Sequence, residues 1–173
     1  HLHTLKTPLG PLLLCASSVG LRGAWFVGPR HFPPLHPPAA SDKMPTNPVL
    51  AQTCTQLNDY FAGRRQQFDL PIDLSRGTPF QQQVWQALLS IGWGQTARYG
   101  QLAQQLGRPQ ASRAVGMAVG RNPISIIVPC HRIVGTDGSL TGYAGGLHRK
   151  AALLRLEAGD ADAFQLTSPK SEK

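Results

Sequence analysis

The sequence predicts a two-part α/β protein: a small β-then-α domain over residues 1–75, a mainly helical domain over residues 76–160 and a polar tail over 161–173. Three observations predict this. Apolar runs of strand length lie near the start, helix start and stop signals recur further on, and two short helices flank a tight glycine-containing turn. Such a pair is a helix-turn-helix pattern, although many pairs of this kind are plain structural helices. At 173 residues the chain is long enough to bury a real core.

Pro11 to Ser17 and Leu21 to Val27 read as strands around Ser18-Val19-Gly20, a hairpin. Residues 28–48 hold seven prolines, which exclude helix or central strand and predict an exposed loop. Leu50, Cys54, Leu57 and Phe61 then recur at helical spacing up to Gly63, and Gln67 to Leu74 reads as a further strand. Thr78 and Pro79 are a cap and a first-turn residue for a helix carrying Phe80, Val84, Leu88 and Ile91 on one face, ended by Gly92 and Gly94. The helix-turn-helix pair is Tyr99 to Gly107 and Ala111 to Val119, joined by Arg108-Pro109-Gln110. Asn122-Pro123 breaks the second helix, and Ile124 to Val128 reads as a buried strand leading to Cys130. After a turn at Gly135 to Gly138 and a glycine-rich loop at Gly142 to Gly146, a last helix runs from Leu147 to Ala158. Leu147, Ala151 and Leu154 share its apolar face, and Gly159 stops it.

Composition narrows the function. Lys and Arg total 17 against nine Asp and Glu, a net charge of +8. Between residues 80 and 155 eight basic residues face one acid, Asp137, and most are arginine, the better phosphate-gripping residue. A polyanion is the favoured partner, with a merely basic soluble surface as the alternative. No apolar run approaches the ~20 residues needed to span a bilayer, so no membrane role is expected. No signal-peptide pattern opens the residues given, and three cysteines without framework spacing suggest free thiols in a cytoplasmic setting.

Pro129-Cys130-His131-Arg132 carries the chemistry, because a thiol, an imidazole and a guanidinium emerge together from the core. A cysteine attacks as thiolate, which a basic partner and nearby positive charge favour. On residue type alone a single cysteine at a strand end is more often a small core residue. On an extended chain Cys130 and His131 would point apart, so a bridging water is the more plausible link. The chain has two glutamates, and Glu157 is the natural carboxylate to orient His131. Zinc fits poorly at Cys130, and nothing in the spacing of His1, His3, Cys15, His31 and His36 requires a metal. No metal and no cofactor are expected.

Arg113-Ala114-Val115-Gly116, Asn122-Pro123, Val128-Pro129-Cys130-His131-Arg132 and Gly142-Tyr143-Ala144-Gly145-Gly146 together resemble the methylated-DNA–protein-cysteine methyltransferases, the O6-alkylguanine-DNA alkyltransferases. The resemblance is specific from about Thr78 to Gly159 and weaker upstream, at Thr7 to Leu12 and Leu57 to Gly63. It implies a ribonuclease-H-like N-terminal α/β domain and a helical C-terminal domain whose helix at Ser112 to Arg121 enters the minor groove of duplex DNA. Ser112, Ala114, Gly116 and Arg121 would lie on the DNA, while Arg113 fills the gap left by a flipped guanine. Tyr99 would help rotate the nucleotide and donate to N3 of the guanine. Asn122 would link the helix pair to the active site. The carbonyls of Cys130 and Ile133 would accept from the exocyclic amine, and Tyr143, Ala144 and Gly145 would line the base pocket. The implied reaction transfers the alkyl group of O6-alkylguanine, and of O4-alkylthymine, to Cys130 once per molecule, without a cofactor and as a monomer. Some members carry serine at the position of Ala144, a departure that bears on lesion preference, and the role of the 28–48 insert is open.

Two rivals stand beside this reading. A non-catalytic lesion-sensing DNA-binding protein would lack the reactive cysteine. A cysteine hydrolase would need a direct Cys–His contact and would have no use for the helix-turn-helix or Arg113.

Overall fold

Every residue of the strand β2 (Leu12–Ala16) is buried, which places it at the centre of a three-stranded antiparallel sheet, between β1 (Leu2–Leu5) and β3 (Leu21–Phe26). The computed structural model describes residues 1–28 and 32–164. β3 (Leu21–Phe26) is the expected second arm of the hairpin, closed by the Ser17 amide donating to the Gly20 carbonyl at 2.9 Å. β1 (Leu2–Leu5) was not foreseen. Its Leu-His-Thr-Leu pattern is weak by itself and becomes a strand by pairing with β2, with Leu2 opposite Cys15 and Leu5 opposite Leu12.

Helix α1 (Pro48–Phe61) is capped by the Asn47 side chain, which accepts from the Leu50 amide. It buries Leu50, Cys54 and Leu57 as the spacing implies, and Tyr60 with them. The strand expected at Gln67 to Leu74 does not form. Pro71 lacks an N–H, so pairing with β3 is limited to a bridge between Leu21 and Ile72. Within the proline-rich segment, residues 32–47 form no helix or regular strand and touch the sheet through the Ser41 amide on the Thr4 carbonyl, whereas Pro48, expected in the loop, opens α1, where a first-turn position needs no N–H. Residues 29–31 of that segment, and the tail from 165 on, lie outside the described residues.

Helix α2 (Pro79–Leu88) starts with a full capping box in which Thr78 and Gln81 satisfy each other's backbone amides. It stops at Leu88, earlier than expected. The amides of Leu89, Ser90 and Ile91 then bond three residues back, so Ile91 reaches the core from a tightened turn. Helices α3 (Tyr99–Gln105) and α4 (Ser112–Gly120) form the helix-turn-helix, with Gly107 in the left-handed region at φ 70° in the connection. Trp85 of α2 donates its indole N–H to the Ala118 carbonyl at 2.8 Å, fixing α4 from behind.

The run Ile124 to Val128 is buried but is not a strand. Only Ile124 bridges to the sheet, opposite Ala24, and Ile126 turns through φ 73°. Asn122 closes the segment on itself, accepting from the Ile124 amide at 3.0 Å and donating to the Val128 carbonyl at 2.8 Å. A continuous apolar run marks burial, and periodicity cannot tell a buried strand from a buried turn. A 3₁₀ turn at Cys130–Arg132 follows, then β5 (Ile133–Val134), which pairs in parallel with β4 (Ala97–Arg98).

The last helix, α5 (Leu147–Glu157), turns a different face inward from the one its apolar residues suggest. Lys150, Ala152, Leu153 and Glu157 are buried, whereas Leu147 is 48% exposed. Two charged side chains hold the inward positions because each finds partners there. Apolar side chains from the sheet, α1 and the C-terminal helices meet in one continuous core.

Thr78→Ala removes the cap and one arm of the capping box. It is expected to lower stability by about 1 kcal/mol, read as a shift of the urea midpoint at constant slope.

Candidate active site

The 3₁₀ turn sends Cys130 and His131 in different directions. Cys130 is 8% exposed and shares a small space with Asn122, Ser125, Tyr143 and Ala144. His131 is fully buried on the α5 side, and no hydrogen bond joins its ring to Sγ. The extended geometry expected at this pair is therefore replaced by a tight turn, with the same consequence: thiol and imidazole are not in direct contact.

Glu157 gathers the buried donors. Its Oε1 accepts from Tyr60 Oη at 2.8 Å and from Arg132 Nη2 at 2.8 Å, and lies 2.7 Å from His131 Nε2. Its Oε2 accepts from Arg132 Nε at 2.9 Å. Arg132 also donates to the Ile91 carbonyl at 2.6 Å, which anchors it to the turn after α2. Burial alone would raise the Glu157 pKa, but the hydrogen bonds from His131 and Arg132 outweigh it and hold the carboxyl at about 2. An ionised Glu157 requires the proton on His131 Nε2. That leaves Nδ1 as a free acceptor, and Nδ1 is buried without a protein partner among the described residues. Burial lowers the His131 pKa and Glu157 only partly offsets this, so the resting imidazole is neutral.

The thiol itself is protonated at rest. Burial pushes the Cys130 pKa up, while the Asn122 amide and the Lys150 charge pull in the opposite direction. Lys150 is buried and donates from Nζ to the carbonyls of Ile133 and Thr141. The Ile133 carbonyl, expected to face the base, thus already carries one donor. Tyr99 is half-buried, its hydroxyl 3.2 Å from Thr141 Oγ1, and Gly116 of α4 lies against its ring. Tyr143 is buried, and a Cβ on Gly145 would come within 2.8 Å of its ring and 2.9 Å of Phe26, so only glycine fits there. The space at Cys130 is about 10 Å³. A cavity of about 200 Å³ shares Asn122, Ser125 and Ala144 with it and is closed on the far side by Trp25, Phe26 and Phe32.

On α4, Val115, Ala118 and Val119 face inward, whereas Arg113, Ala114, Met117 and Gly120 face solvent, with Arg121 following them. Ser112 and Gly116 are half-buried at the edges of this face. The eight basic residues of the C-terminal part divide. Arg132 and Lys150 are buried, Arg155 pairs with Asp160 at 2.6 Å, and Arg149 is bound to backbone carbonyls. Arg98, Arg108, Arg113 and Arg121 are exposed.

The family 6-O-methylguanine DNA methyltransferase, DNA binding domain, matches residues 79–159, and the family 6-O-methylguanine DNA methyltransferase, ribonuclease-like domain, matches residues 1–74. The chain belongs to the 6-O-methylguanine DNA methyltransferases. It is 47% identical over 163 residues to the methylated-DNA–protein-cysteine methyltransferase of Mycobacterium tuberculosis, covering 94% of this chain and 95% of that one. The corresponding protein of Mycobacterium leprae is 46% identical over 157 residues, 91% of this chain and 92% of its own. The crystal structure of Mycobacterium tuberculosis OGT in complex with DNA superposes with a TM-score of 0.84 at 44% identity, over 96% of this chain and 98% of that one. The fold expected from the resemblance, a ribonuclease-like sheet domain followed by a helical DNA-binding domain, is therefore that of the family.

Sequence reasoning brought Cys130, His131 and Glu157 together and missed Tyr60 and Arg132 as partners of the carboxylate. A signal existed for both. Tyr60 falls on the apolar face of α1, where a buried hydroxyl needs an acceptor. A buried guanidinium next to His131 needs a carboxylate, and the chain has one glutamate besides Glu172.

The charge states fix how acid acts on the fold. Unfolded, Glu157 titrates near 4.5. Its contribution to stability is thus complete above that pH and lost as pH falls toward about 2. His131, lowered from 6.5, adds an earlier loss as the unfolded chain takes up its proton below pH 6.5. The urea midpoint is expected to fall in two stages between about pH 7 and about pH 3, and Glu157→Gln should shrink the lower stage, to which Asp73 at about 2 also contributes, while lowering the midpoint throughout. A lower stage of undiminished size in this variant would assign it to other carboxylates.

Proposed function

We propose that the protein repairs O6-alkylguanine in duplex DNA by moving the alkyl group to Cys130, once per molecule, with residues 76–160 carrying the chemistry and residues 1–75 supporting it. One observation carries the assignment: a buried thiol stands next in sequence to a neutral imidazole whose far nitrogen is fixed by an ionised carboxylate. His131 Nδ1 takes the thiol proton through one water, held at the buried acceptor. The thiolate pair forms the Sγ–C bond as the C–O6 bond breaks, and the electrons of that bond leave on the guanine. The proton passes to guanine, and the product is a thioether. Glu157 stabilises the transient imidazolium, and Arg132 and Tyr60 keep Glu157 in place.

The solvent-facing side of α4 is the DNA surface in this reading. Arg113 replaces the extruded base in the stack, which offsets part of an unstacking cost of a few kcal/mol. Small residues at Ala114 and Gly116 let the backbone approach the groove, with Ser112 and Arg121 at either end. Tyr99 assists rotation and donates to N3. The base enters from the larger cavity toward Cys130, past Asn122 and Ala144, against Tyr143 and Gly145 and the carbonyls of Cys130 and Ile133. O4-alkylthymine presents the same alkyl–oxygen bond and is a second substrate. The free thiols of Cys15, Cys54 and Cys130 suit a reducing cytoplasm. The protein acts as a monomer, because the site is complete within one chain.

Incubation with a duplex containing O6-methylguanine should add one methyl group per chain, on the peptide holding Cys130. Intact and peptide mass spectrometry check this, and an adduct on Cys15 or Cys54 would defeat the assignment. Arg113→Ala should slow repair of the duplex by roughly tenfold or more while leaving reaction with the free base O6-benzylguanine within about twofold. Equal losses with both substrates would remove Arg113 from the flipping step.

A further inference from the structure

Two adjacent cations open α5, and both are turned onto backbone carbonyls of the loop before it. Lys150 holds the start of the loop through Thr141, and Arg149 holds its end, donating from Nη1 to the Gly145 carbonyl at 2.9 Å. Arg149 also reaches across to the N-terminal domain. Its Nε donates to the Leu9 carbonyl at 2.8 Å, and its guanidinium lies 4.6 Å from the centre of the Phe26 ring. Phe26 in turn abuts Gly145 and lines the larger cavity beside Cys130. Gly10, the residue after Leu9, has φ 106°, and a Cβ there would come 3.2 Å from Arg149 Nη2, so the β1–β2 turn is shaped around this side chain.

Positive charge in the first turn of a helix opposes the helix dipole, and this first turn holds no acid. Arg149 therefore does not serve α5. Its hydrogen bonds run to two other segments, 140 residues and four residues away in the chain. A planar guanidinium can donate in two directions while stacking on a ring, which an ammonium cannot do. Together the contacts join the β1–β2 turn, the end of β3 and the far end of the Gly142–Gly146 loop.

We infer that Arg149 is a positioning residue that latches the base-pocket loop onto the N-terminal domain and so sets the affinity of the site for the alkylated base. The inference rests on the proposed role of the loop in lining the base site. It gives the ribonuclease-like domain a direct part in substrate binding, since Leu9 and Phe26 are the fixed points to which the loop is tied. Arg149 touches neither Cys130 nor the His131–Glu157 pair, so the latch governs where the base sits and leaves the bond-making step alone.

The test is the concentration dependence of benzyl transfer from free O6-benzylguanine to Cys130 by the full chain, which separates apparent binding from the limiting rate. Arg149→Ala is expected to raise the apparent dissociation constant by about tenfold and to leave the limiting rate within about twofold. Arg149→Lys keeps the charge but loses the planar fork that stacks on Phe26 while reaching both carbonyls, and should recover only part of the loss; it also serves if the alanine variant does not fold. Affinity for an unmodified duplex should not change in either variant. An unchanged dissociation constant, a loss confined to the limiting rate, or full recovery by lysine would overturn the latch. A wild-type protein that takes no benzyl group on Cys130 would instead strike at the reading of Cys130, and the latch would fall with it.

Discussion

The Glu157 carboxylate is the point on which the site depends. It is buried at the end of α5, yet it is ionised, because a tyrosine from α1, a histidine from the 3₁₀ turn and an arginine that also holds the turn after α2 converge on it. A carboxylate stripped of water at this depth is unfavourable unless its lone pairs are occupied. Four donors from two segments, α1 and the 3₁₀ turn, satisfy that condition, and both are thereby held in register with α5. Tyr60 lies 97 residues from Glu157, so the same charge that orients the imidazole also ties the first domain to the last helix.

The chain's excess of positive charge has two uses, which net charge alone does not distinguish. Arg132, Arg149 and Lys150 are turned inward or along the surface onto carbonyls and one carboxylate, and they organise the pocket. Arg98, Arg108, Arg113 and Arg121 are exposed, although Arg108 lies over the Phe80 ring. The electrostatic attraction to a phosphate backbone thus comes from fewer groups than the composition suggests. On the proposed reading, minor-groove approach by small residues and one inserted arginine does not require more.

Elements with local chemistry were legible in the sequence. Thr78-Pro79 announces α2 because a cap acts within one turn, and Gly107 stops α3 for the same reason. Asn47-Pro48 carries the same signal for α1, but the sequence reading places its proline in the loop before it. Features set by distant partners were not. β1 exists through its pairing with β2, Pro71 cuts short a strand that residue type favours, and Ile124 to Val128 becomes a turn because Asn122 grips both its ends. The inward face of α5 was hidden because apolarity was used to find it, whereas Lys150 and Glu157 occupy it as charged groups with partners. The sequence reading grouped Cys130, His131 and Glu157, and in the structure His131 Nε2 lies 2.7 Å from Glu157 Oε1. The partners that come from across the fold, Tyr60 and Arg149, were not legible.

Burial of Cys130 then has a chemical meaning. A thiolate at rest would react with oxidants and stray electrophiles, and in a protein that acts once each such event removes a molecule from use. The small space at Sγ and the raised thiol pKa both favour the protonated, shielded thiol. The means of activation stay assembled beside it: a neutral imidazole with a free acceptor, a fixed carboxylate and the Lys150 charge. In the proposed reaction, proton loss becomes favourable only when an alkylated base occupies the pocket and the developing charge can leave on guanine. On the proposed mechanism, selectivity therefore rests on gating the thiol by access, and the loop that controls access is the one held at its two ends by Arg149 and Lys150.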